Sequence, residues 1–341
     1  MMKSYLLGID IGTSACKVAV FDRNGKVLAA ASGDYPVYYP HEGWAEQNPE
    51  EWWDAVCRAT KETIQKADIT ADEIAGIGID GQSWSAIPID REGNVLANTP
   101  IWMDTRAQSI CDRLNQEIGQ EEIFEVAGNS LQPSYSTAKI LWYKENLPEV
   151  YAKIYKILQS NSYIAFKLTG AVTQDVSQGY GLHCFNMKKG CWDEKMCKCL
   201  GIPMEFLPEI CDCDHVVGTV TGKAAAECGL VEGTPVVAGG LDAACGTLGA
   251  GVIHSGETQE QGGQAGGMSI CTEEYKADPR LILSYHVVPG KWLLQGGTTG
   301  GGGVMRWFER EFADYERMMK EQTGVSSLDQ LNKIAEKVAP G

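Results

Sequence analysis

Two short segments of this chain combine a carboxylate with glycine and hydroxyl residues, the groups that phosphate chemistry uses. In "LLGIDIGTSACKVAVFD", residues 6–22, Asp10 lies inside an apolar run and is followed by Gly12, Thr13 and Ser14. Backbone amides and hydroxyls of such a turn can bind a phosphate group. The carboxylate can hold Mg²⁺, which in proteins takes one or two carboxylates plus phosphate oxygens. The alternative is that Asp10 is a strand-edge acid satisfied by nearby amides.

A second carboxylate, Asp242, follows a strand-like run and two glycines in "VVAGGLDAACG", residues 236–246. The C-terminal end of a strand is where α/β proteins place their chemistry. The other interpretation is an N-cap, because an aspartate at the start of a helix satisfies free backbone amides. Spacing alone favours the N-cap, so the residues by themselves leave both interpretations open.

Three familiar patterns do not predict a site. Residues 76–81 match G-x-G-x-x-G, but their glycines lie within a strand rather than at a strand-to-helix turn. "GTVTGKA", residues 218–224, is one residue shorter than a P-loop and carries alanine where Ser or Thr must reach the metal. The five histidines form no H-x-x-x-H pair, so no local histidine metal site is indicated.

Composition restricts the classes of partner. The formal net charge is −16, from 29 basic and 45 acidic residues. That charge repels phosphate backbones and anionic lipid, which argues against nucleic-acid and membrane partners. A nucleotide held by backbone amides and a metal stays compatible with it. The N-terminus lacks the features of a signal peptide, and no apolar run approaches about 18 residues, so we expect a cytoplasmic protein.

The twelve cysteines are expected to be reduced thiols in such a compartment. Six of them lie between Cys184 and Cys213, which raises the alternative of a zinc site. Zinc motifs usually show C-x₂-C spacing, and this segment does not. Structural or surface thiols are therefore the favoured interpretation.

The elements that must position the two acids are readable from pattern. "LLGIDIG", "CKVAVFD" and "KVLAAAS" predict three strands, with a hairpin turn at residues 24–25. Residues 48–67 predict an amphipathic helix with an N-cap at Asn48 and proline at its first position. "EIAGIGID" predicts a buried strand, "SAIPIDREGNVL" a hairpin, and residues 107–169 a series of helices.

The second half of the chain is richer in glycine. Residues 234–240 predict a strand that leads into a helix of small residues. "GETQEQGGQAGGMSI" and "GKWLLQGGTTGGGG" repeat the order strand, glycine turn, strand. We therefore predict two domains, an N-terminal one at residues 1–248 and the first part of a C-terminal one at residues 249–341.

Taken together, these segments resemble the FGGY family of carbohydrate kinases. D-x-G-T-S near the start, G-G-x-D before an alanine-rich helix, and the late hairpin at "GGQAGG" occur in the family's order. "EGWAEQNPEEWW", "GIDGQSW", "PIWMDTRA", "SNSYIAFKLTGAVTQDVSQGYG" and "GGLDAACGTLGAGVIHSGE" are similar to family blocks along the whole chain. Xylulokinase-like members are the most similar.

The resemblance implies an α/β fold with two ribonuclease-H-like domains, as in the actin, hexokinase and heat-shock ATPase superfamily, the second domain being truncated. It implies ATP and Mg²⁺ as cofactors and a sugar or polyol, most similar to a ketopentose such as xylulose, as substrate. Asp10 then resembles the metal-site aspartate, and Asp242 resembles the base that takes a proton from the sugar hydroxyl. The phosphate-facing residues implied are Gly12, Thr13, Ser14, Gly263, Gln264, Ala265, Gly266, Gly300 and Gly301.

The residues implied to face the sugar are Gln82, Ser83, Trp84, Trp102 and Asp242. "DGQSWS" differs from the S-G-Q-M-H-G typical of xylulokinases, so Ser83 and Trp84 stand in for methionine and histidine. Ala243 stands where an Asn or Gln contact to the sugar is common, which leaves the exact sugar open. Trp102 is alternatively a core tryptophan.

Further departures concern the nucleotide. Gln264 stands where many members have threonine, and the glycine run at residues 296–303 is either the start of the nucleotide domain or a flexible loop. Family members continue beyond the "APG" of residues 339–341 with a segment against the adenine. The chain is thus either a fragment or a protein with a reduced nucleotide site.

The rival functions are a non-catalytic sugar-binding regulator on the same fold and a chaperone-like ATPase. The oligomeric state is not readable, and a homodimer stays open.

Overall fold

The computed structural model describes residues 4–262, 266–298 and 300–339. The chain divides into two compact units. Unit 1 consists of Met1–Glu257 and Cys271–Leu294, and unit 2 consists of Thr258–Ile270 and Gln295–Gly341. The domain boundary between residues 248 and 249 stays a prediction, because a division by compactness does not identify an evolutionary domain.

The strands follow one another from the N-terminus to the glycine-rich region. They are β1 (Tyr5–Ile11), β2 (Ala15–Phe21), β3 (Val27–Asp34), β4 (Glu46–Gln47), β5 (Ile74–Gly81), β6 (Ile87–Ile89), β7 (Thr99–Pro100), β8 (Lys156–Leu158), β9 (Thr173–Asp175), β10 (Phe185–Asn186), β11 (Cys191–Trp192), β12 (Glu209–Cys211), β13 (Val216–Thr219), β14 (Pro235–Val237), β15 (Gly240–Leu241), β16 (Thr258–Gly262), β17 (Gly266–Thr272), β18 (Ile282–Tyr285) and β19 (Trp292–Thr298).

The helices are concentrated in the middle of the chain and after residue 301. They are α1 (Pro49–Ala67), α2 (Gln108–Leu114), α3 (Gln120–Ala127), α4 (Ser136–Asn146), α5 (Pro148–Tyr151), α6 (Ser160–Thr169), α7 (Glu194–Leu200), α8 (Gly222–Cys228), α9 (Asp242–Gly249), α10 (Gly302–Phe312), α11 (Asp314–Thr323) and α12 (Ser327–Ala335). A π-helical turn at Asn115–Gly119 joins α2 to α3. The predicted series of helices over residues 107–169 is confirmed, with interruptions at residues 128–135 and at residues 152–159, which contain β8.

A seven-stranded sheet forms the centre of unit 1, in the order β13-β14-β5-β1-β2-β3, with β15 also paired to β5. β1, β2 and β3 are antiparallel neighbours, whereas β5 runs parallel to β1, β14 and β15. Alternating burial along β1 and β2 produces this sheet, because successive side chains point to opposite faces. The predicted hairpin between β2 and β3 is confirmed, with Gly25 at φ 79° in the turn.

Helix α1 covers one face of β2 and β3, as its amphipathic pattern predicts. Asn48 caps it by accepting a hydrogen bond from the amide of Glu50 at 3.0 Å, and Pro49 opens it, so both predicted start signals are confirmed. The helix lies so close to β3 that a side chain at Gly33 would meet Cβ of Ala55 at 2.9 Å. The sheet and this helix thus enclose the main apolar core, in which Trp52 is completely buried.

Unit 2 contains the hairpin of β16 with the first part of β17, and the helices α10, α11 and α12. The hairpin pairs Thr258 with Ile270 and Gly262 with Gly266, which confirms the predicted late hairpin. Its predicted turn residues Gly263, Gln264 and Ala265 lie outside the described residues. None of the helices within residues 4–262, 266–298 and 300–339 is both long and apolar enough to span a membrane.

Candidate active site

Three carboxylates come together at one end of the central sheet. Asp10 on β1 is the direct partner of Asp80 on the parallel strand β5. Asp80 is in turn the partner of Gly240 on β15, so Asp242 follows two residues beyond. The C-terminal ends of parallel strands lie at the same edge of a sheet, which is the usual place for chemistry in α/β folds. The structure therefore brings the two predicted acids, Asp10 and Asp242, into one group with a third.

The negative charge of this group changes its protonation. Desolvation raises the pKa of Asp80 to about 9, and repulsion from Asp10 and Asp242 adds to the effect. Desolvation also raises the pKa of Asp242 to about 7, with a further contribution from Asp10. Lys17 counteracts both shifts, because its Nζ lies 2.7 Å from Oδ2 of Asp10. At neutral pH the group therefore holds protons that ordinary aspartates would release.

The position of Asp242 depends on a close crossing of the chain over β5. Gly239 adopts φ +74°, and a Cβ at this residue would lie 1.7 Å from the carbonyl oxygen of Ile79, so only glycine fits. Next along the chain, the amide of Leu241 donates to Oγ of Ser177 at 2.9 Å. Ser177 is itself anchored, because its hydroxyl donates to Asp175 at 2.5 Å.

Asp242 is the first residue of α9 and not its N-cap, which is Leu241. Its Oδ1 accepts a hydrogen bond from the adjacent amide of Ala243 at 2.7 Å. The N-cap interpretation, favoured by spacing alone, is therefore wrong. The reason is that Leu241 is held in β15, so helical geometry starts only at Asp242.

The turn after β1 has the form expected of a small-residue loop. The amide of Gly12 donates to the carbonyl oxygen of Ala15 at 3.2 Å, which closes the turn. Tyr35, the residue after β3, stabilises this turn, because its hydroxyl donates to the carbonyl oxygen of Gly12 at 2.6 Å. Ser14 is exposed, and its carbonyl oxygen accepts from the amide of Tyr35 at 3.3 Å.

Thr13 is tied to the predicted sugar side of the site. Nε1 of Trp102 donates to Oγ1 of Thr13 at 2.9 Å, so these two predicted residues are in contact. Gln47 donates through Nε2 to the carbonyl oxygen of Thr13 at 2.8 Å and accepts from Nε2 of Gln82 at 2.8 Å. A chain of side chains thus runs from Gln82 to the loop of residues 12–14. Sequence reasoning did not identify Gln47, since glutamine in a two-residue strand has no distinctive pattern.

Gln82, Ser83 and Trp84 follow directly after β5. The amide of Gln82 donates to the carbonyl oxygen of Ile11 at 2.9 Å, which continues the pairing of the strands. Its buried Oε1 has no hydrogen-bond partner among the described residues. Ser83 accepts at Oγ from the hydroxyl of Tyr180 at 3.0 Å. A buried acceptor without a partner is costly, and a ligand hydroxyl would satisfy it.

Trp84 has a strained backbone, with φ 61° in the left-handed region that non-glycine residues rarely adopt. Its ring stacks on Tyr135 with centroids 4.3 Å apart, and its Nε1 is buried without a partner among residues 4–262, 266–298 and 300–339. Its carbonyl oxygen accepts from Nζ of Lys139 at 2.8 Å, and the same ammonium donates to the carbonyl oxygen of Ile101 at 2.8 Å. Burial lowers the pKa of Lys139 to about 7.

The other predicted phosphate residues belong to unit 2. Gly266 is the first residue of β17, and Gly300 and Gly301 lie directly before α10. A Cβ at Gly266 would lie 3.7 Å from Cα of Gly301, so these two glycines approach each other closely. Gly263, Gln264 and Ala265 lie outside the described residues, and their role stays a prediction.

Sequence reasoning missed Lys17 and Asp80. The signal for Asp80 was present, because "GIGID" repeats the pattern of "LLGID", an acid inside an apolar strand. The same residues also match G-x-G-x-x-G, and the failure of that match gives no reason to single out the acid within it. Lys17 alternates with buried residues on β2 and reads as an ordinary outward-facing lysine. Only its register opposite Asp10 gives it a place in the site.

The donor set suits one kind of metal. Among the described residues, no group of three or more His, Cys, Asp or Glu is arranged to hold an ion by itself. Mg²⁺ does not require such a cage, because one or two carboxylates together with substrate phosphates suffice. The Asp10 side chain is about one third exposed, at 31%, and its present counter-ion is the Lys17 ammonium. The excess of carboxylates around it favours a divalent cation.

Comparison with known proteins places this site in context. Residues 5–249 match the family model described as the FGGY family of carbohydrate kinases, N-terminal domain. The chain is 32% identical over 326 residues to a xylulose kinase of Bacillus subtilis, covering 95% of this chain and 65% of that protein. It is 30% identical over 345 residues to a gluconokinase of the same organism, covering 100% of this chain and 66% of that protein.

A solved structure of a sugar kinase is also similar to this chain. The crystal structure of xylulose kinase from Rhodospirillum rubrum superposes with a TM-score of 0.88 at 28% identity, covering 99% of this chain and 68% of that chain. The predicted α/β fold of the sugar-kinase class is therefore confirmed. The chain spans about 65% of the length of the curated relatives it matches.

Proposed function

Because the chain belongs to the FGGY family of carbohydrate kinases, we propose that it acts in the ATP-dependent phosphorylation of a hydroxyl group on a sugar or polyol. The observation that carries the proposal is the position of Asp242. This carboxylate lies at the C-terminal end of parallel strands, beside Asp10, with a pKa raised to about 7. A kinase reaction requires a base near the nucleophile and groups that position the phosphates. Since it consumes ATP, we place its action in the cytoplasm.

Asp242 is proposed to accept the proton of the sugar hydroxyl as that oxygen attacks the terminal phosphate of ATP. General bases work best when their pKa lies near the working pH, because they are then both deprotonated and strong enough to take the proton. Desolvation supplies this tuning here. The hydrogen bond from the amide of Ala243 at 2.7 Å fixes the orientation of the carboxylate.

Asp10 is proposed to hold Mg²⁺ together with phosphate oxygens. When bound, Mg²⁺ neutralises charge on the triphosphate. The amides and hydroxyls of Gly12, Thr13 and Ser14 would face the phosphates, and Lys17 would help to compensate their charge. The contact of Trp102 with Thr13 links this loop to the sugar side, so that sugar and phosphate are positioned by one connected set of side chains.

The charge of the site favours a neutral sugar, such as a ketopentose, over an aldonate. Asp10, and Asp242 in its deprotonated form, would repel a substrate carboxylate. The two ammonium groups that contact site residues are already engaged, Lys17 by Asp10 and Lys139 by two carbonyl oxygens. Among the described residues that are proposed to face the sugar, Gln82 has an unpartnered buried acceptor and Trp84 an unpartnered buried donor, and both groups suit hydroxyl partners. Gluconate is the second candidate, and the likeness to a gluconokinase supports it.

The test is a ligand panel on this chain. Thermal unfolding is measured with xylulose, ribulose, xylitol, gluconate and glycerol, each with and without Mg·ATP, and phosphate transfer is followed in the same mixtures. A ligand at about 100 times its Kd stabilises the folded state by about 2.7 kcal/mol, which raises Tm by several degrees. We expect one neutral ketose to raise Tm and to be phosphorylated.

Each other outcome selects a rival. Stabilisation by gluconate alone would overturn the neutral-sugar assignment. Sugar binding without phosphate transfer, at every Mg·ATP concentration, would favour the non-catalytic regulator. Hydrolysis of ATP that no sugar changes would favour the chaperone-like ATPase.

A further inference from the structure

Two thiols meet where helix α8 packs against helix α1, away from the candidate active site. Sγ of Cys57 lies 2.7 Å from Sγ of Cys228, and the two cysteines are 171 residues apart in the chain. Beside them, Nε1 of Trp53 donates to Glu227 at 2.7 Å, a second contact between the same two helices. The contact between Trp53 and Glu227 thus holds the two helices together next to the thiol pair. A disulfide requires an S–S distance of about 2.05 Å, so a shift of less than about 1 Å would bring them to bonding distance.

A cavity reaches one thiol of the pair and not the other. It lies among α1, α6 and α8 and has a volume of about 550 Å³. Cys57 lines it and is 9% exposed, whereas Cys228 is 0% exposed and does not line it. A small reagent would therefore meet Cys57 first. The other lining residues are Glu50, Trp53, Asp54, Lys61, Lys167, Lys223 and Glu227.

The walls of this cavity carry charges of both signs. Lys167 is paired with Glu50 at 2.7 Å, and Glu227 accepts from Trp53. Lys61 and Lys223 are exposed and form no ion pair with a residue in the described parts of the chain. A ligand that bears carboxylates together with ammonium groups fits such walls, because free lysines attract the carboxylates and the acids tolerate the ammonium groups.

We propose that Cys57 and Cys228 form a reversible disulfide, and that the cavity admits the oxidant, a small disulfide bearing carboxylate and ammonium groups. The proposal is independent of the kinase function. It assigns a modification site to two helices of unit 1 and predicts the order in which the two thiols react.

The exchange proceeds in two balanced steps. The Cys57 thiolate attacks one sulfur of the small disulfide and releases one small thiolate, which leaves a mixed disulfide on Cys57. The Cys228 thiolate then attacks Sγ of Cys57 and releases the second small thiolate. Two electrons pass from the cysteine pair to the small disulfide, and the two thiol protons go to the released thiolates. The contact with Cys57 and burial raise the pKa of Cys228, so Cys228 is mostly a protonated thiol before exchange and Cys57 reacts first.

Peptide mapping of the whole folded chain without reductant, after incubation with oxidised glutathione, tests the site. We expect a Cys57–Cys228 crosslink and a rise in Tm, because the bond restricts the unfolded chain over a long loop. Cys228→Ala should accumulate a mixed disulfide on Cys57. Cys57→Ala should give none on Cys228. Exposed Cys191 and Cys199 report in every sample that the reagent is active.

A second measurement tests the cavity. The double variant Lys61→Gln, Lys223→Gln should slow crosslinking by oxidised glutathione about three- to tenfold and leave the rate with neutral 2-hydroxyethyl disulfide unchanged. Lys26→Gln, an exposed lysine on the β2–β3 hairpin, is the matched control. An equal effect on both reagents would overturn the role of the cavity. Modification of Cys191 without any Cys57–Cys228 crosslink, or modification of Cys228 in Cys57→Ala, would overturn the proposed site.

Discussion

Nζ of Lys17 lies 2.7 Å from Oδ2 of Asp10, its direct partner on the neighbouring antiparallel strand. This ion pair holds the carboxylate that is proposed to bind the metal, whose side chain is 31% exposed. It also acts at a distance, because Lys17 lowers the pKa of both Asp80 and Asp242. Lys17 therefore offsets part of the rise in pKa that desolvation causes at these two carboxyl groups.

The first prediction concerns pH. If Asp242 is the base, kcat/KM should rise with pH through about 7 and then level off, because only the deprotonated carboxylate can accept a proton. Lys17→Met removes a positive charge that favours deprotonation, so the rising limb should move to higher pH by roughly half a pH unit. The measurement is kcat/KM for the sugar from pH 5 to 9. Lys26→Met is the control, and a limb that stays in place in Lys17→Met would contradict the assignment.

The second prediction concerns the base itself. Asp242→Asn keeps the shape of the side chain but cannot accept the proton, so kcat should fall by about 10²- to 10⁴-fold. The Kd for the sugar, from isothermal titration, should change only a few-fold. Asp214→Asn alters an exposed aspartate and should leave both values unchanged. Retention of full kcat in Asp242→Asn would rule out this residue as the base.

The third prediction concerns the backbone that carries Asp242. Gly239→Ala adds left-handed strain and a clash with the carbonyl oxygen of Ile79, so it should cost more than about 4 kcal/mol or prevent folding. Gly25→Ala has a similar φ, +79°, but no atom within 4 Å of the added Cβ, so it should cost only about 1–2 kcal/mol. Urea unfolding of the two variants measures the difference. Equal losses would show that the close crossing at Gly239 can relax.

The fourth prediction concerns stability at low pH. His183 is fully buried between Thr137 and Ser130, and desolvation lowers its pKa to about 4. Because the unfolded histidine binds its proton near pH 6.5, the stabilisation is complete above that pH. It is lost as pH falls toward 4 and amounts to about 3 kcal/mol.

His183→Asn removes this titration. The variant should be less stable at pH 7, since it loses the ring contact with Tyr135, but its free energy of unfolding should fall less steeply between pH 6.5 and 4. Urea unfolding at several pH values tests this. His215→Asn, at an exposed histidine, should keep the steep dependence. The same slope in His183→Asn and in the original protein would refute the explanation.

Local pattern was sufficient for the elements that carry the site. The alternation of β1 and β2, the turn at Gly25 and the Asn48-Pro49 start of α1 are all short-range signals, because burial on one face and satisfaction of free amides are decided within a few residues. Asp10 is predicted for the same reason, as a carboxylate inside an apolar run, whereas Asp242 is singled out because it follows a strand-like run and two glycines.

Register and burial were decided only by the tertiary structure. Asp80 and Lys17 became part of the site because β5 and β2 pair with β1 at the positions that oppose Asp10, and no local pattern encodes which strands become neighbours. The pKa of Asp242 likewise depends on its burial and on the charges of Asp10 and Lys17, both more than 200 positions away in the chain. Residue types therefore indicated which chemistry was available. Long-range strand pairing determined which side chains belong to the same site, because electrostatic and desolvation effects depend on distance in space and not on distance along the chain.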